Sequence, residues 1–185
     1  MPGLSSLRKL RRHSRHERAG FALYTAAVAA ARDPWFYVKL RVPDTLDGRF
    51  DLIALHAFLL VHRLLASPAP GPDLAQAVFD AMFSDMDNNL RELGVSDLRV
   101  GKRVRAMWEA FHGRSTAYAQ ALDATDSITL ATALARNVWR GEVLDTSAEA
   151  LATYVLAQAA NIAAQPVAGL AAGKVRFLSA PAAVR

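Results

Sequence analysis

Residues 51–66, DLIALHAFLLVHRLLA, are apolar on most faces of a helix. A helix with a single apolar stripe can lie at a protein surface, whereas one that is apolar nearly all round has to be covered by other elements. No stretch of about 18 residues in the chain is both uncharged and continuously apolar, as a membrane span requires. We therefore expect this helix at the centre of a bundle.

Helical spacing dominates the chain, and strand alternation is nearly absent. Its 185 residues are enough for one sizeable core. We predict an all-α, single-domain bundle of about six helices. The predicted helices cover about 17–31, 51–66, 73–93, 97–122, 128–139 and 148–165, with a short aromatic segment at 35–38 and a loop at 42–51.

Local signals mark several helix ends. Asp73 and Ser127 can cap helices, and Gly94 can end one in a left-handed conformation. Gly101 lies near a helix start, where glycine costs about 1 kcal/mol relative to alanine, and this suggests close approach of another backbone. Two apolar stripes are predicted to face inward, one formed by Leu74, Val78, Met82, Met86, Leu90 and Leu93 and one by Val100, Val104, Met107, Trp108 and Phe111.

The net charge of +5 is concentrated at the amino terminus. Residues 1–18 hold six cations and one acid, whereas the rest of the chain holds 16 of each. We divide the chain into a basic arm (1–18), a helical domain (19–165) and a partly irregular tail (166–185). Such an arm suits an anionic surface, and we expect contact with the membrane or the ribosome through Arg8, Lys9, Arg11, Arg12, Arg15 and Arg18.

Residues 6–35 have the outline of a secretory signal, with a basic region followed by an apolar run. Tyr24 and Thr25 interrupt that run, however, and Phe21, Tyr24 and Val28 recur at helical spacing. These features favour a core-facing helix.

The chemistry of the chain argues against an enzyme. It has no cysteine, which excludes disulfides, thiolate metal sites and a cysteine nucleophile. No glycine-rich phosphate loop, zinc-binding HExxH or nucleophile elbow occurs. His56 and His62 are six residues apart and lie on different helix faces, so they are a poor pair of ligands and more typical of core or groove histidines. We expect no catalytic residue, no cofactor and no metal.

Residues 85–103, DMDNNLRELGVSDLRVGKR, begin like a calcium loop. Such a loop needs glycine at its sixth position and glutamate at its twelfth, where this chain has Leu90 and Ser96. The segment is therefore predicted as helix with a solvated face that includes Asp85, and Asp87 can pair with Arg91 at i,i+4. With Gly94 reversing the chain, this acidic face and a basic face formed by Arg99, Lys102 and Arg103 are predicted to meet in a surface ion-pair network. The four cations after Gly94 lack interleaved aromatic residues and are too few to indicate RNA binding.

Three consecutive aromatic residues, Trp35, Phe36 and Tyr37, cannot all face inward from one helix. At least one is expected at the surface or in a groove, and an exposed apolar patch is typical of a contact with a protein or membrane.

Three segments resemble a known family in content, order and spacing. They are WFYVKLRVPDTLDGRFDLIALHAFLLVHRL, FDAMFSDMDNNLRELGVSDLRVGKRVRAMWEAFHGRSTAY and LARNVWRG, which together span about 35–141. The resemblance is to the ubiquinol-cytochrome c chaperones, which assist assembly of the cytochrome bc1 complex (respiratory complex III), and it identifies the chain as a bacterial-type member. The arm and the tail after about 145 lie outside it. Arg41 departs from the family pattern, in which a small residue precedes Val-Pro-Asp.

The resemblance implies a non-enzymatic, all-helical assembly factor in the cytoplasm, peripheral to the inner membrane, whose client is newly made cytochrome b. No sequence-specific binding of nucleic acid is expected. An apolar groove and the charged hairpin would bind the client, and the matching and neighbouring positions give the expected contacts: Trp35, Phe36, Tyr37, Asp44, Asp47, Arg49, Phe50, Asp85, Asp87, Arg91, Lys102, Arg103, Arg114 and Tyr118. The alternative is a helical protein that handles haem or another small molecule through His56 and His62.

Overall fold

The computed structural model describes residues 4–141 and 145–183, and within them the chain is all-α, as predicted. Six helices have 12 or more residues and three have four or five. In chain order they are α1 (Leu4–Ala31), α2 (Pro34–Val38), α3 (Leu46–Leu65), α4 (Gly71–Glu92), α5 (Asp97–Asp123), α6 (Ser127–Val138), α7 (Asp145–Ala163), α8 (Val167–Ala171) and α9 (Ala180–Ala183).

Helix α3 lies at the centre of the bundle and packs against α1, α4, α5, α6 and α7. Eleven of its 20 residues are buried, including an unbroken run from Ala54 to Leu60. Burial of consecutive residues is possible only when neighbours cover every face of a helix. The expectation drawn from the apolar run is therefore confirmed.

Helix α3 begins earlier than predicted, because residues 46–51 are helical rather than part of a loop. The side chain of Thr45 accepts a hydrogen bond from the Gly48 amide at 3.1 Å and caps the new helix. Gly48 is required here, since a Cβ atom would lie 2.0 Å from the carbonyl oxygen of Pro43. The turn is thus confined to residues 43–45, and Asp47, Arg49 and Phe50 project from the first turns of α3.

Other helix ends also differ from the predictions. Helix α1 starts at Leu4 instead of about residue 17, and no proline or glycine interrupts the chain between Leu4 and Ala19. Asp73 does not cap α4; it lies in the first turn, where a carboxylate still favours the helix dipole. Helix α6 is capped by Asp126, not Ser127, through the amides of Ile128 and Thr129.

Gly94 adopts φ +77° after α4, as predicted. Leu93 and Trp108, predicted to face inward, are 63% and 45% exposed. Leu93 follows the last residue of α4 and so leaves the buried stripe, and Trp108 packs its ring against His112 at the surface. Gly101 has no neighbour close enough to explain it, so the predicted backbone approach is wrong.

The segment between α8 and α9 is held by amide side chains from α7 and from the residues just after it. Gln158 is fully buried; its Nε2 donates to the Leu178 carbonyl at 2.7 Å, and its Oε1 accepts from the Leu178 amide at 3.1 Å. Gln165 bonds both backbone groups of Arg176 in the same way. The two glutamines thereby bond the backbone on both sides of Phe177. The ring of Phe177 packs edge-on against His56 in the core.

No helix within the described ranges combines the length and apolar character that crossing a bilayer requires.

Helices α1 and α4 approach each other closely at Gly20, where a Cβ atom would lie 2.6 Å from the Ala77 backbone. We expect Gly20→Ala to lower the free energy of unfolding by about 1–3 kcal/mol, because the helices have to separate. The control is Gly101→Ala, which meets open space and should raise it by about 0.5–1 kcal/mol. Urea unfolding followed by circular dichroism gives both values, and equal effects would contradict the packing at Gly20.

Candidate partner-binding groove

A groove of about 1450 Å³ lies between the α4–α5 hairpin and the segment that runs from α2 into α3. Helices α4 and α5 contribute one side of it, and the loop before α3 contributes the other. Its lining includes Tyr24, Arg32, Tyr37, Val38, Asp44, Leu46, Asp47, Arg49, Phe50, Asp51, Ile53, Asp85, Met86, Leu90, Glu92, Leu93, Arg103, Met107, Ala110, Arg114 and Arg140.

The groove exposes large apolar side chains. Val38, Leu46 and Leu93 are 71%, 55% and 63% exposed, and all three line it. Beneath them, Met86 and Leu90 are buried in the hairpin. Burial of one such side chain gains about 1.5–3 kcal/mol, so a complementary apolar surface would bind here favourably.

At the groove wall, α3, α5 and the turn after α6 are joined by one buried carboxylate. Asp51 is 4% exposed; its Oδ1 pairs with Arg114, and its Oδ2 accepts from Arg140 Nη1 at 2.9 Å. Burial raises the pKa of Asp51 above its ordinary value, and the two guanidinium groups oppose that rise. Arg114 and Arg140 thus offset the cost of burying the Asp51 charge, and they hold the three segments of the groove wall together.

The turn that carries Arg140 is tightly held. Arg140 and Gly141 both have positive φ, and the Trp139 indole N–H donates to the carbonyls of Leu40 and Arg41 at 3.2 Å. Arg41 also has positive φ, at 55°. The indole of Trp139 thus joins the turn at Arg41 to the turn at Arg140, which are 99 residues apart in the chain.

The sequence predicted that Asp85 lies on a solvated helix face, but in the structure its side chain is bonded to another helix. Its Oδ2 accepts a hydrogen bond from the Tyr24 hydroxyl at 2.7 Å. Burial, together with this bond, raises the pKa of Tyr24 above its ordinary value. The bond ties α1 to α4 beside the groove.

The predicted ion-pair network across the hairpin is largely wrong. Arg91 pairs with Asp87 at 2.6 Å, as the i,i+4 spacing predicted, and also with Asp97 across the turn. Among the described residues, neither Lys102 nor Arg103 pairs with an acid of α4. Within the described part of the chain, the Arg91–Asp97 pair is thus the contact that joins the two arms of the hairpin by charge.

Eight of the predicted contact residues line the groove: Tyr37, Asp44, Asp47, Arg49, Phe50, Asp85, Arg103 and Arg114. Asp44 and Arg49 form an exposed ion pair at 2.6 Å on its rim, and the guanidinium group lowers the pKa of the Asp44 carboxyl. Tyr37 is half-buried, and its hydroxyl donates to the Ala31 carbonyl. The expectation that one of the three aromatics lies in a groove is met by Tyr37.

The other predicted contact residues lie elsewhere. Phe36 and Tyr118 are buried in the core, where Phe36 packs edge-on against Tyr154 and Tyr118 against Phe58. They can support the groove but not touch a partner in this conformation. Trp35 is half-buried beside Phe36. Asp87, Arg91 and Lys102 lie on the hairpin outside the groove lining.

From Leu4 onwards, the arm forms the first part of α1. Arg15 and Arg18 are exposed on that helix. The side chains of Arg8, Lys9, Arg11 and Arg12 lie outside the described residues.

His56 is a satisfied core residue. Its Nδ1 donates to the Leu52 carbonyl at 2.7 Å, so its Nε2 accepts from the Tyr154 hydroxyl at 2.7 Å. His62 bonds Asp123 at 3.1 Å on another face. Ligation of haem iron through Nε2 of His56 would break its buried hydrogen bond with the Tyr154 hydroxyl. No cluster of three or more histidines and carboxylates that suits a metal occurs in the part of the chain that the structure describes.

Several groove residues, among them Leu46, Leu93, Tyr24 and Arg140, were missed as site residues by sequence reasoning. Tyr24 looked like one more core position in α1, and its bond partner lies 61 residues away. Arg140 lies in the segment LARNVWRG, directly before a glycine that follows a helical stripe. This position indicates a left-handed turn, but nothing in the segment indicates that Arg140 contacts a buried carboxylate.

Comparison with known proteins identifies relatives of the whole bundle. The family described as ubiquinol-cytochrome C chaperone matches residues 38–177. This confirms the resemblance and corrects its limit, because the match continues through α7 into the tail. A ubiquinol-cytochrome-c reductase complex assembly factor 1 from Xenopus laevis is 26% identical over 141 residues, which are 76% of this chain and 70% of that protein.

Two further similarities involve proteins called Cbp3. The mitochondrial protein CBP3 of Saccharomyces cerevisiae is 29% identical over 149 residues, which are 78% of this chain and 44% of the yeast protein. The crystal structure of the Cbp3 homolog from Brucella abortus superposes with a TM-score of 0.83 at 38% identity, covering 95% of this chain and 97% of that one.

The Asp51 cluster should govern the stability of the groove. We expect Asp51→Ala to lower the free energy of unfolding by about 3–5 kcal/mol, since two guanidinium groups lose their buried partner. Asp47→Ala, an exposed carboxylate one turn earlier, should cost less than about 1 kcal/mol. Chemical denaturation measures both, and a small effect at Asp51 would contradict the role of the cluster.

His56 should make stability depend on pH, because burial lowers its pKa from 6.5 to about 4. Below about pH 6.5 the unfolded chain protonates His56 while the folded protein does not, so this contribution is lost as pH falls towards 4. The loss should be about 1.5 kcal/mol between pH 6.5 and 5. Urea unfolding at both values should show a smaller pH effect in His56→Gln than in the unsubstituted protein; identical pH effects would be inconsistent with a neutral, buried His56.

Proposed function

We propose that this chain, which belongs to the ubiquinol-cytochrome C chaperone family, promotes assembly of the cytochrome bc1 complex by binding newly made cytochrome b in the groove. The name of its Xenopus relative describes an assembly factor of the ubiquinol-cytochrome c reductase complex. The function is non-enzymatic: the chain holds a client and releases it.

The observation that carries this proposal is the exposure of Val38, Leu46 and Leu93 in one groove. A membrane protein presents apolar segments before it is inserted, and such segments need temporary cover from water. A groove with several exposed apolar side chains and a polar rim offers that cover without crossing the membrane itself.

The proposed place of action is the cytoplasmic face of the inner membrane. Arg15 and Arg18, at the end of the basic arm, are exposed on α1. A helical extension of this charge would hold the protein near anionic lipid or the ribosome, where the client emerges.

Handling of haem finds no comparable support. The ring nitrogens of His56 are both hydrogen-bonded, and the residue is fully buried between Phe36, Tyr154 and Phe177. The groove, by contrast, is open.

The direct test is co-purification of tagged protein with cytochrome b from cells arrested in bc1 assembly. We expect cytochrome b in the eluate and a loss of bc1 complex in a deletion strain. Normal bc1 levels in that strain would overturn the proposal.

A matched pair of surface variants tests the groove itself. Leu46 and Leu98 are exposed and lie in the first turns of α3 and α5, where the helix dipole favours aspartate, but only Leu46 lines the groove. Leu46→Asp should reduce bc1 content about tenfold or more, as loss of one buried leucine predicts, whereas Leu98→Asp should leave it unchanged. Difference spectra of membranes quantify the haems; equal effects would argue against this groove as the client site.

A further inference from the structure

A second cleft, of about 590 Å³, lies between the C-terminal part of α1 and residues 174–179, which we call the tail segment. It adjoins the groove at Arg32 and Pro34, which line both. The tail segment lines the cleft with Val175, Phe177, Leu178 and Ser179. The cleft is thus bounded by a helix on one side and by a non-helical stretch of backbone on the other.

The tail segment has the two-residue period of a β-strand, although it belongs to no sheet within the described residues. Lys174, Arg176 and Leu178 are exposed. Val175 and Phe177, between them, are half-buried. Hydrogen bonding follows the same alternation, because side-chain amides bond the backbone N–H and C=O groups of Arg176 and Leu178. Side chains and backbone groups alternate in this way when a chain is extended.

One edge of this extended backbone has no partner. In a strand, the N–H and C=O groups of successive residues point to opposite edges. Since those of Arg176 and Leu178 are bonded by the glutamines, those of Val175 and Phe177 point the other way, and they bond no other residue in the described ranges. These groups of Val175 and Phe177 form the tail edge, an unpaired strand edge beside the cleft.

Helix α1 leaves room next to the tail edge. At Gly173 the chain passes so close to α1 that a Cβ atom would lie 2.9 Å from the Cβ atom of Ala22. Further along, α1 lines the cleft with Ala26, Ala29 and Ala30, so no large side chain of that helix fills it. The tail segment offers about 16 Å of backbone there, enough to pair with about five residues of another chain.

The charges around the tail edge favour an acidic occupant. Lys174 and Arg176 are exposed on its outer face, and neither forms an ion pair within the part of the chain that the structure describes. Arg32 is exposed at one end of the cleft, whereas the Asp33 carboxylate beside it accepts from the Trp35 amide. A second copy of the tail segment would bring the same cations to the same face, where like charges on neighbouring strands repel.

We infer that the tail edge pairs with an extended segment of a partner protein, in which acidic residues that face Lys174 and Arg176 alternate with apolar residues. Backbone hydrogen bonds hold the added strand, and the alternation of side chains sets its register. A slip by one residue would place carboxylates against the alanines of α1. This site goes beyond the proposed function, and its occupant does not depend on the client of the groove.

Amide hydrogen exchange of the full chain, followed by NMR, tests the pairing directly. The probe is a synthetic peptide of about nine residues in which glutamate and valine alternate. In the protein alone, the amides of Val175 and Phe177 should exchange about tenfold faster than those of Arg176 and Leu178, and saturating peptide should slow them about tenfold. No binding, or binding without this protection, would overturn the inference. Protection that appears without peptide, as the protein concentration rises, would indicate pairing of two copies and would also overturn it.

Two N-methylated peptides separate backbone pairing from attraction between charges. One is methylated on the glutamate amides and the other on the valine amides, so each loses the donors of one edge while both keep the same charges. One of them should bind about tenfold more weakly than the parent peptide in fluorescence anisotropy, and the other should bind as the parent does. The one that fails distinguishes parallel from antiparallel pairing. Equal affinities of the two would contradict a paired edge.

Charge reversal at Arg176 supplies the matched control within the protein. Arg176→Glu keeps the backbone groups but should weaken the glutamate peptide about tenfold and favour a peptide of alternating lysine and valine. Arg99→Glu, on exposed α5 outside the cleft, should change neither affinity. The same response to both substitutions would argue against recognition of acidic residues at this edge.

Discussion

The groove depends on the buried carboxylate of Asp51 near the beginning of α3. A carboxylate removed from water is unfavourable unless charged donors surround it. Those donors come from 63 and 89 residues further along the chain, so three separate parts of the fold have to meet at one point. The start of α3, the middle of α5 and the turn after α6 are thereby placed together, and they form one wall of the groove.

Much of the bundle follows from apolar spacing. The run at 51–66 required cover on every side, and α3 is covered by five helices. Periodicity specifies which face of a helix is buried but not where the helix stops, because ends depend on single capping contacts. Six residues of the predicted loop are helical because Thr45 caps the Gly48 amide and because Gly48 packs directly against Pro43.

The site was predictable only in part, for a related reason. Some residues of the aromatic segment at 35–38, the motif at 42–51 and the hairpin lie in the groove, among them Tyr37, Phe50 and Arg103. Phe36 and Tyr118 stand in equally suggestive stretches and are buried. Partners such as Tyr24 with Asp85, or Arg140 with Asp51, are joined by tertiary contacts that leave no local pattern.

Under the proposed function, the charges of the hairpin at 85–103 serve recognition rather than stabilisation. Exposed ion pairs contribute about 0–1 kcal/mol each, so it costs the fold little that Arg103 pairs with no acid among the described residues. The same charge placed in a groove beside exposed apolar side chains discriminates strongly, because a like charge on a docked partner would be pressed against it out of water. Arg103 therefore sacrifices almost no stability and keeps a charge available to the partner. A hairpin whose cations all paired with its own acids would be about equally stable and would offer the partner no such charge.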